Sequence, residues 1–287
     1  MIEAEPWDTR PCHLGEGPLW HPERGQLFWF DILGHRLLTR DADGPRDWAF
    51  EDTPSAAGWI DRDALLVATS TGFWRLDLRT GARERLAALE ADDPGTRSND
   101  GRADPWGGFW VGTMGRRAER GRGAIHRYYR GEVRRLHDGI TIPNSICFPP
   151  SGDRAFFSDT ARGVVMAQRL GRDGWPAGDP EPWLDLSGVG LAPDGAVVDA
   201  EGSLWLAQWG AWRVACHGPD GRFRLAVDLG AARATCPAFG GPDLRTLFVT
   251  SAREGLPEGA GGHHVGAGWT FRVEVDAAGQ AEHRVVP

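Results

Sequence analysis

No apolar run in this sequence approaches the ~18 residues of a membrane-spanning helix, so no transmembrane segment and no membrane partner are expected. No amphipathic stretch of useful helical length appears either. The first eleven residues are acidic and carry no apolar core, so no signal peptide is expected. Cysteine is scarce: Cys12, Cys147, Cys216 and Cys236 are the only four, and none are spaced as CxxC. That argues against a zinc knuckle or a redox pair and suits free thiols in a cytoplasmic protein. GxSxG, HExxH and P-loop motifs are all missing. An excess of positive charge is missing too. The formal net charge is −8, and the phosphates of a nucleic acid would be repelled.

Two residue types are abundant. Glycine occurs 40 times and tryptophan 14 times. Glycine supplies the positive φ that tight turns demand, and tryptophan supplies large flat surfaces for packing. Both point to a sheet protein with many short turns. A repeat organises them. An acidic or Pro/Gly turn followed by a short apolar strand recurs six times: HPERGQLFWFDI, DRDALLVATS, DPWGGFWVGTM, PPSGDRAFFSDT, DAEGSLWLAQW and GPDLRTLFVTSA. The strands start at Leu27, Leu65, Phe109, Ala155, Leu204 and Leu247, in steps of 38 to 49 residues. A second strand ending in a polar or glycine turn follows each copy. The period fits a four-stranded propeller blade of roughly 40–50 residues. Two β-sandwiches would also show frequent strands, but not six copies of one two-part motif. The expectation is all-β: one six-bladed β-propeller domain over residues 1–287, with four-stranded blades. Residues 281–286 are expected to pair with the N-terminal segment and close the ring.

The innermost strand of each blade lines the central axis. Ten or eleven residues before the strand starts lie Glu16, Asn99, Asn144 and Asp194, with Ser55 and Cys236 at the matching places in blades two and six. Equivalent positions on rotated blades aim at one spot. Two carboxylates brought together there repel, unless a proton or a cation intervenes. Carboxylate and amide oxygens suit a hard divalent ion, so a metal at the mouth of the axis is expected. Asp31 and Asp159, which end apolar strands, read as hydrogen-bond anchors. Trp209 and Trp212 are candidates to wall a sugar pocket.

At these motifs the chain resembles the senescence-marker-protein/gluconolactonase, or regucalcin-like, family. The matching stretches are LGEGPLW, RSNDGRADPWGGFWVGTM, IPNS, APDGAVVDAEGSLWLAQW and CPAFGGPDLRTLFVTSA, in family order over nearly the whole chain. The resemblance implies a six-bladed propeller that binds one divalent metal through Glu16, Asn144 and Asp194. It implies that Arg97 and Asn99 contact substrate, and that Asp194 is also the catalytic proton-transfer group. The implied activity is hydrolysis of a sugar lactone to its sugar acid. Glu119 is the nearest counterpart of a further substrate-contacting glutamate. Ser145 stands where the family often has glycine after the asparagine ligand, and is expected to reshape the pocket floor. Arg116, Arg117, Arg120 and Arg122 offer contacts to an anionic group on the substrate. Other ester or phosphoester hydrolysis, or metal binding without catalysis, are the alternatives. The oxygen donors do not discriminate among Ca, Mg, Mn, Zn and Fe, and nothing in the pattern sets an oligomeric state.

Overall fold

The computed structural model describes residues 2–230, 233–257 and 264–287. Six sheets, antiparallel apart from one added strand, follow one another along the chain. Their second strands are Gln26–Asp31, Ala64–Thr69, Phe109–Gly115, Arg154–Asp159, Leu204–Trp209 and Thr246–Ala252. Each begins within one residue of the start read from the repeat. These strands lie between neighbouring blades and have no solvent face. That is why they read as unbroken apolar runs; Leu27, Phe28, Trp29 and Phe30 are all buried.

The innermost strands are Gly15–His21, Pro54–Asp61, Thr96–Ala103, Pro143–Cys147, Ala192–Val198 and Arg233–Gly240. Each packs on the next, and the sixth packs back on the first. The result is a six-bladed β-propeller with four-stranded blades. The fifth blade carries an extra strand, Ile2–Glu3, parallel to Phe223–Asp228. No helix of the described residues is long and apolar enough to cross a membrane.

Ring closure differs from the expectation. Glu5–Asp8 is the outer strand of the sixth blade and pairs antiparallel with Thr270–Glu274. An Arg272–Glu5 ion pair at 2.8 Å sits across that seam. With the edge taken, residues 281–286 form no strand and instead cross the far end of the axis. Val285 N–H donates to Trp59 O (2.9 Å) and Val286 N–H to Gly107 O (2.9 Å). Gln280 Nε2 donates to Phe148 O (3.1 Å) and Val198 O (2.9 Å), and Glu282 pairs with Arg102. Buried backbone groups need partners, and this segment finds them among inner-strand ends rather than along a ladder. One end of the axis is thereby covered and the other left open.

Candidate active site

Every inner strand loses its ladder register near its start. The shifts fall between Glu16 and Leu19, Pro54 and Ala56, Ser98 and Gly101, Asn144 and Cys147, Pro193 and Ala196, and Ala234 and Pro237. A bulge leaves residues unpaired and re-aims their side chains. At or inside these shifts stand Glu16, Ser55, Asn99, Asn144, Asp194 and Cys236, all buried. The fixed offset in the sequence therefore has a backbone cause. In the first blade the turn also demands glycine: Gly17 has φ +52°, and a Cβ there would stand 2.4 Å from Ser55 O.

A hydrogen-bonded chain joins three blades. Arg97 Nη1 donates to Asn99 Oδ1 (2.8 Å), and Asn99 Nδ2 to Asn144 Oδ1 (2.9 Å). Asn144 Nδ2 donates to Asp194 Oδ1 (2.7 Å) and to Thr160 Oγ1 (2.8 Å). The chain ends on a carboxylate and begins on a cation, so every donor faces the same way. Glu16 approaches from the first blade, with Oε2 held by Gly17 N–H at 2.9 Å.

Burial dominates the electrostatics. It pushes the Glu16 carboxyl up to about 8, with Asp100 adding repulsion. It pushes Asp194 well above the usual carboxylate range, and Glu16 adds to that. Asp100, deeper on the axis, is raised to about 6 for the same reason, while the Ile146 N–H opposes the shift. Neither Glu16 nor Asp194 makes an ion pair among the described residues. Two buried carboxyls without a cationic partner and one amide suit a divalent cation, so the residues fit the metal that the sequence implies. Among the described residues no cluster of three or more His, Cys, Asp and Glu forms a metal site. The set here is mixed carboxylate and amide.

These groups floor a cavity of about 460 Å³, within the range of roughly 300–1,000 Å³ usual for small-molecule sites. Arg97, Asn99, Glu16, Asn144 and Asp194 all line it, as does Trp209. Trp212 does not. Asp31 and Asp159 are anchors: Asp31 Oδ1 accepts from Leu14 N–H (3.1 Å), and Asp159 Oδ2 from Thr141 N–H (3.0 Å).

Glu119, like Trp212, stays off the cavity. Its Oε2 accepts from Arg117 N–H (3.1 Å) and its Oε1 from Arg117 Nε (3.2 Å), so the carboxylate folds back on its own turn. Ala118, at φ +56°, sets that direction. Glu119 is not part of the cavity wall, whereas Glu254 and Arg233 are. Both were missed in the sequence. Glu254 lies two residues beyond the sixth repeat strand, outside the offset that found the others. Its only signal was an acidic residue close behind an apolar repeat strand.

Ser145 does not narrow the floor. It lies behind it, at φ +59°. Its Oγ donates to Asp194 O (2.5 Å) and lies 2.9 Å from Ser158 Oγ. The hydroxyl thus fixes the backbone of the neighbouring blade's carboxylate. A left-handed non-glycine residue costs about 1–2 kcal/mol, and a buried hydrogen bond contributes about 0.5–1.5 kcal/mol. Ser145→Ala keeps the strain and loses the bonds, so it should destabilise by about 1–3 kcal/mol. Ser145→Gly loses the bonds but sheds the strain, and should unfold about 1 kcal/mol above the alanine variant in urea. An alanine variant as stable as wild type would contradict this role for the hydroxyl, and one as stable as the glycine variant would contradict the strain.

Fold and site together define a class: a six-bladed propeller whose inner-strand bulges gather carboxylates and amides at the open mouth of the axis. Residues 14–253 match the SMP-30/Gluconolactonase/LRE-like region, and the chain belongs to that family. A solved calcium-binding protein, regucalcin, from Agrobacterium tumefaciens str. C58 superposes with a TM-score of 0.96 at 37% identity, covering 100% of this chain and 99% of that one. An L-arabinolactonase of Azospirillum brasilense is 35% identical over 286 residues (96% of this chain, 93% of that protein). A 6-deoxy-6-sulfogluconolactonase of Pseudomonas putida is 34% identical over 281 residues (95% of each).

Proposed function

We propose that this protein is an enzyme that hydrolyses a sugar lactone to its sugar acid, with a divalent metal held by Glu16, Asn144 and Asp194. The observation that carries this reading is the buried Glu16–Asp194 pair at the end of the Arg97–Asn99–Asn144 chain, on the floor of an open cavity. Relatives named for their action on different sugar lactones support it. The calcium-binding Agrobacterium relative supports the metal, with calcium as the first ion to try.

A bound divalent metal would neutralise the two carboxylates and act as a Lewis acid toward a carbonyl oxygen. Asp194 accepts a proton from the attacking water and returns it to the ring oxygen as the acyl–oxygen bond breaks. Asn144 and the Ser145 hydroxyl keep Asp194 in place from either side. Arg97 and Asn99 hold substrate hydroxyls or steady the oxygen that gains charge. Trp209 offers a flat face to a sugar ring.

The test is acid release from a panel of sugar lactones, followed with a pH indicator, before and after chelation. Turnover lost on chelation and restored by a divalent ion is the expected result. Metal binding with no turnover on any lactone would establish the binding-protein alternative instead.

The raised carboxyls also set a pH dependence. Glu16 holds its proton to about pH 8 when folded but releases it near 4.5 when unfolded. Between those values the folded state binds more protons, so metal-free stability falls as pH rises. Buried histidines such as His126, held down by desolvation, act with the opposite sign at lower pH. The clean window is therefore about pH 7–8. There, chelated wild-type protein should lose Tm more steeply than Glu16→Gln, and added metal should raise Tm more at pH 8 than at pH 7. Parallel Tm curves for wild type and variant would contradict the assignment.

A further inference from the structure

The floor of the cavity is acidic and amide-rich, whereas its mouth carries arginines. Arg116, Arg117 and Arg233 line the mouth. Arginines on a protein surface usually find a carboxylate, and their neighbours here do so. Arg117 pairs with Glu119 at 3.2 Å and Arg122 with Asp93 at 2.8 Å. Arg116 and Arg233 make no ion pair among the described residues. Their hydrogen bonds end on uncharged oxygens: Arg116 Nε on Pro94 O (2.9 Å) and Nη1 on Thr53 Oγ1 (3.4 Å); Arg233 Nη1 on Glu254 O (2.7 Å) and Nη2 on Gly255 O (3.5 Å). The Arg233 guanidinium also lies 5.0 Å from the Trp209 ring centroid. These anchors fix two guanidiniums in place without neutralising them. A fixed planar fork of donors matches carboxylate, sulfonate and phosphate groups.

From this we infer that the rim is an anion subsite: Arg116 holds an anionic group at the end of a sugar lactone remote from its reactive carbonyl, and Arg233, on the opposite blade, adds to the positive field of the mouth. The inference rests on the lactonase reading and narrows its substrate to aldonolactones with a carboxylate, sulfonate or phosphate on the terminal carbon. Position decides which end of the substrate is charged. The reacting groups are buried on the floor, whereas Arg116 is exposed and Arg233 half-buried above them. An anion bound at the floor would meet Glu16 and Asp194; at the rim it meets Arg116 in the positive field of Arg233. Glu254 forms no ion pair to either arginine among the described residues; its carboxylate acts instead on Arg97, Glu16 and Asp194 at the floor.

The experiment compares kcat/KM for δ-gluconolactone with that for its terminal phosphate, sulfonate and carboxylate analogues, on the metal-loaded protein. At least one anionic lactone should exceed the neutral one by roughly 10–100-fold, the size of a charge-assisted contact. Raising salt to about 0.5 M should narrow the gap. Arg116→Gln with Arg233→Gln should bring the ratio close to one. Arg116→Gln alone, at an exposed position, should lower it severalfold even if the double variant folds poorly. Equal wild-type turnover of neutral and anionic lactones, or a preference that survives the substitutions, overturns the subsite and leaves the lactonase reading standing. No turnover of any lactone overturns that reading, and the subsite with it.

Discussion

Asp194→Asn is expected to lower kcat/KM toward a sugar lactone by roughly 10²–10⁴-fold, the usual contribution of a general base. The substitution is nearly isosteric. Its amide oxygen can still accept from Asn144 Nδ2, and the Ser145 hydroxyl still holds the residue's backbone carbonyl. Local structure should therefore survive, while the proton acceptor and one anionic metal donor are lost. Stability should move the other way. Asp194 is pushed well above the usual carboxylate range by burial and by Glu16, so ionising it costs folding energy in the metal-free state. At pH 8 the chelated variant should unfold at or above the wild-type temperature. Activity within threefold of wild type would remove Asp194 from the chemistry. A large fall in Tm would show that the loss reflects misfolding.

Asp104→Ala should cost about 3–5 kcal/mol of stability, because it strands a buried charge. The Arg127 and Asp104 side chains are both fully buried and joined at 2.7 Å through Nε and Oδ2. Asp104 Oδ1 also accepts from Trp106 N–H and Gly108 N–H, both at 2.9 Å. Without Asp104 the guanidinium keeps, among the described residues, the rings of Tyr129 and Trp175, at 4.7 and 4.3 Å, and a long bond to Asp173 O at 3.4 Å. A fall in Tm on the order of 10 °C is expected. Replacing both partners removes the stranded charge, so Asp104→Ala combined with Arg127→Met should recover most of the loss. A single variant within about 1 kcal/mol of wild type would show that water reaches the guanidinium. The pair lies away from the cavity wall, so kcat at temperatures well below the transition should change little.

The blades were readable because each second strand is sandwiched between neighbours and must be apolar throughout, with a turn before it. Glu16, Asn99, Asn144 and Asp194 were readable because one bulge recurs on every inner strand, and a recurring backbone device leaves a recurring offset. Glu254 and Arg233 were not, since they sit at the adjoining ends of two neighbouring strands of the sixth blade, outside the recurring bulge, and obey no repeat. Glu119, named only from the family resemblance, stays off the cavity wall because Ala118 turns the side chain back on Arg117. Ser145 looked like a change to the pocket surface, yet its hydroxyl points behind the floor. The closing strand was misassigned for a related reason. An edge can be filled by any short segment, and only the register shows that Glu5–Asp8 takes it.

The most direct test of the axial centre is a titration of chelator-treated protein with a divalent ion, following bound metal and lactone turnover together. One site per chain is predicted, with turnover that rises in proportion to its occupancy and loss of both in Glu16→Gln. Full turnover in metal-free protein, or metal binding unchanged by Glu16→Gln, would contradict it.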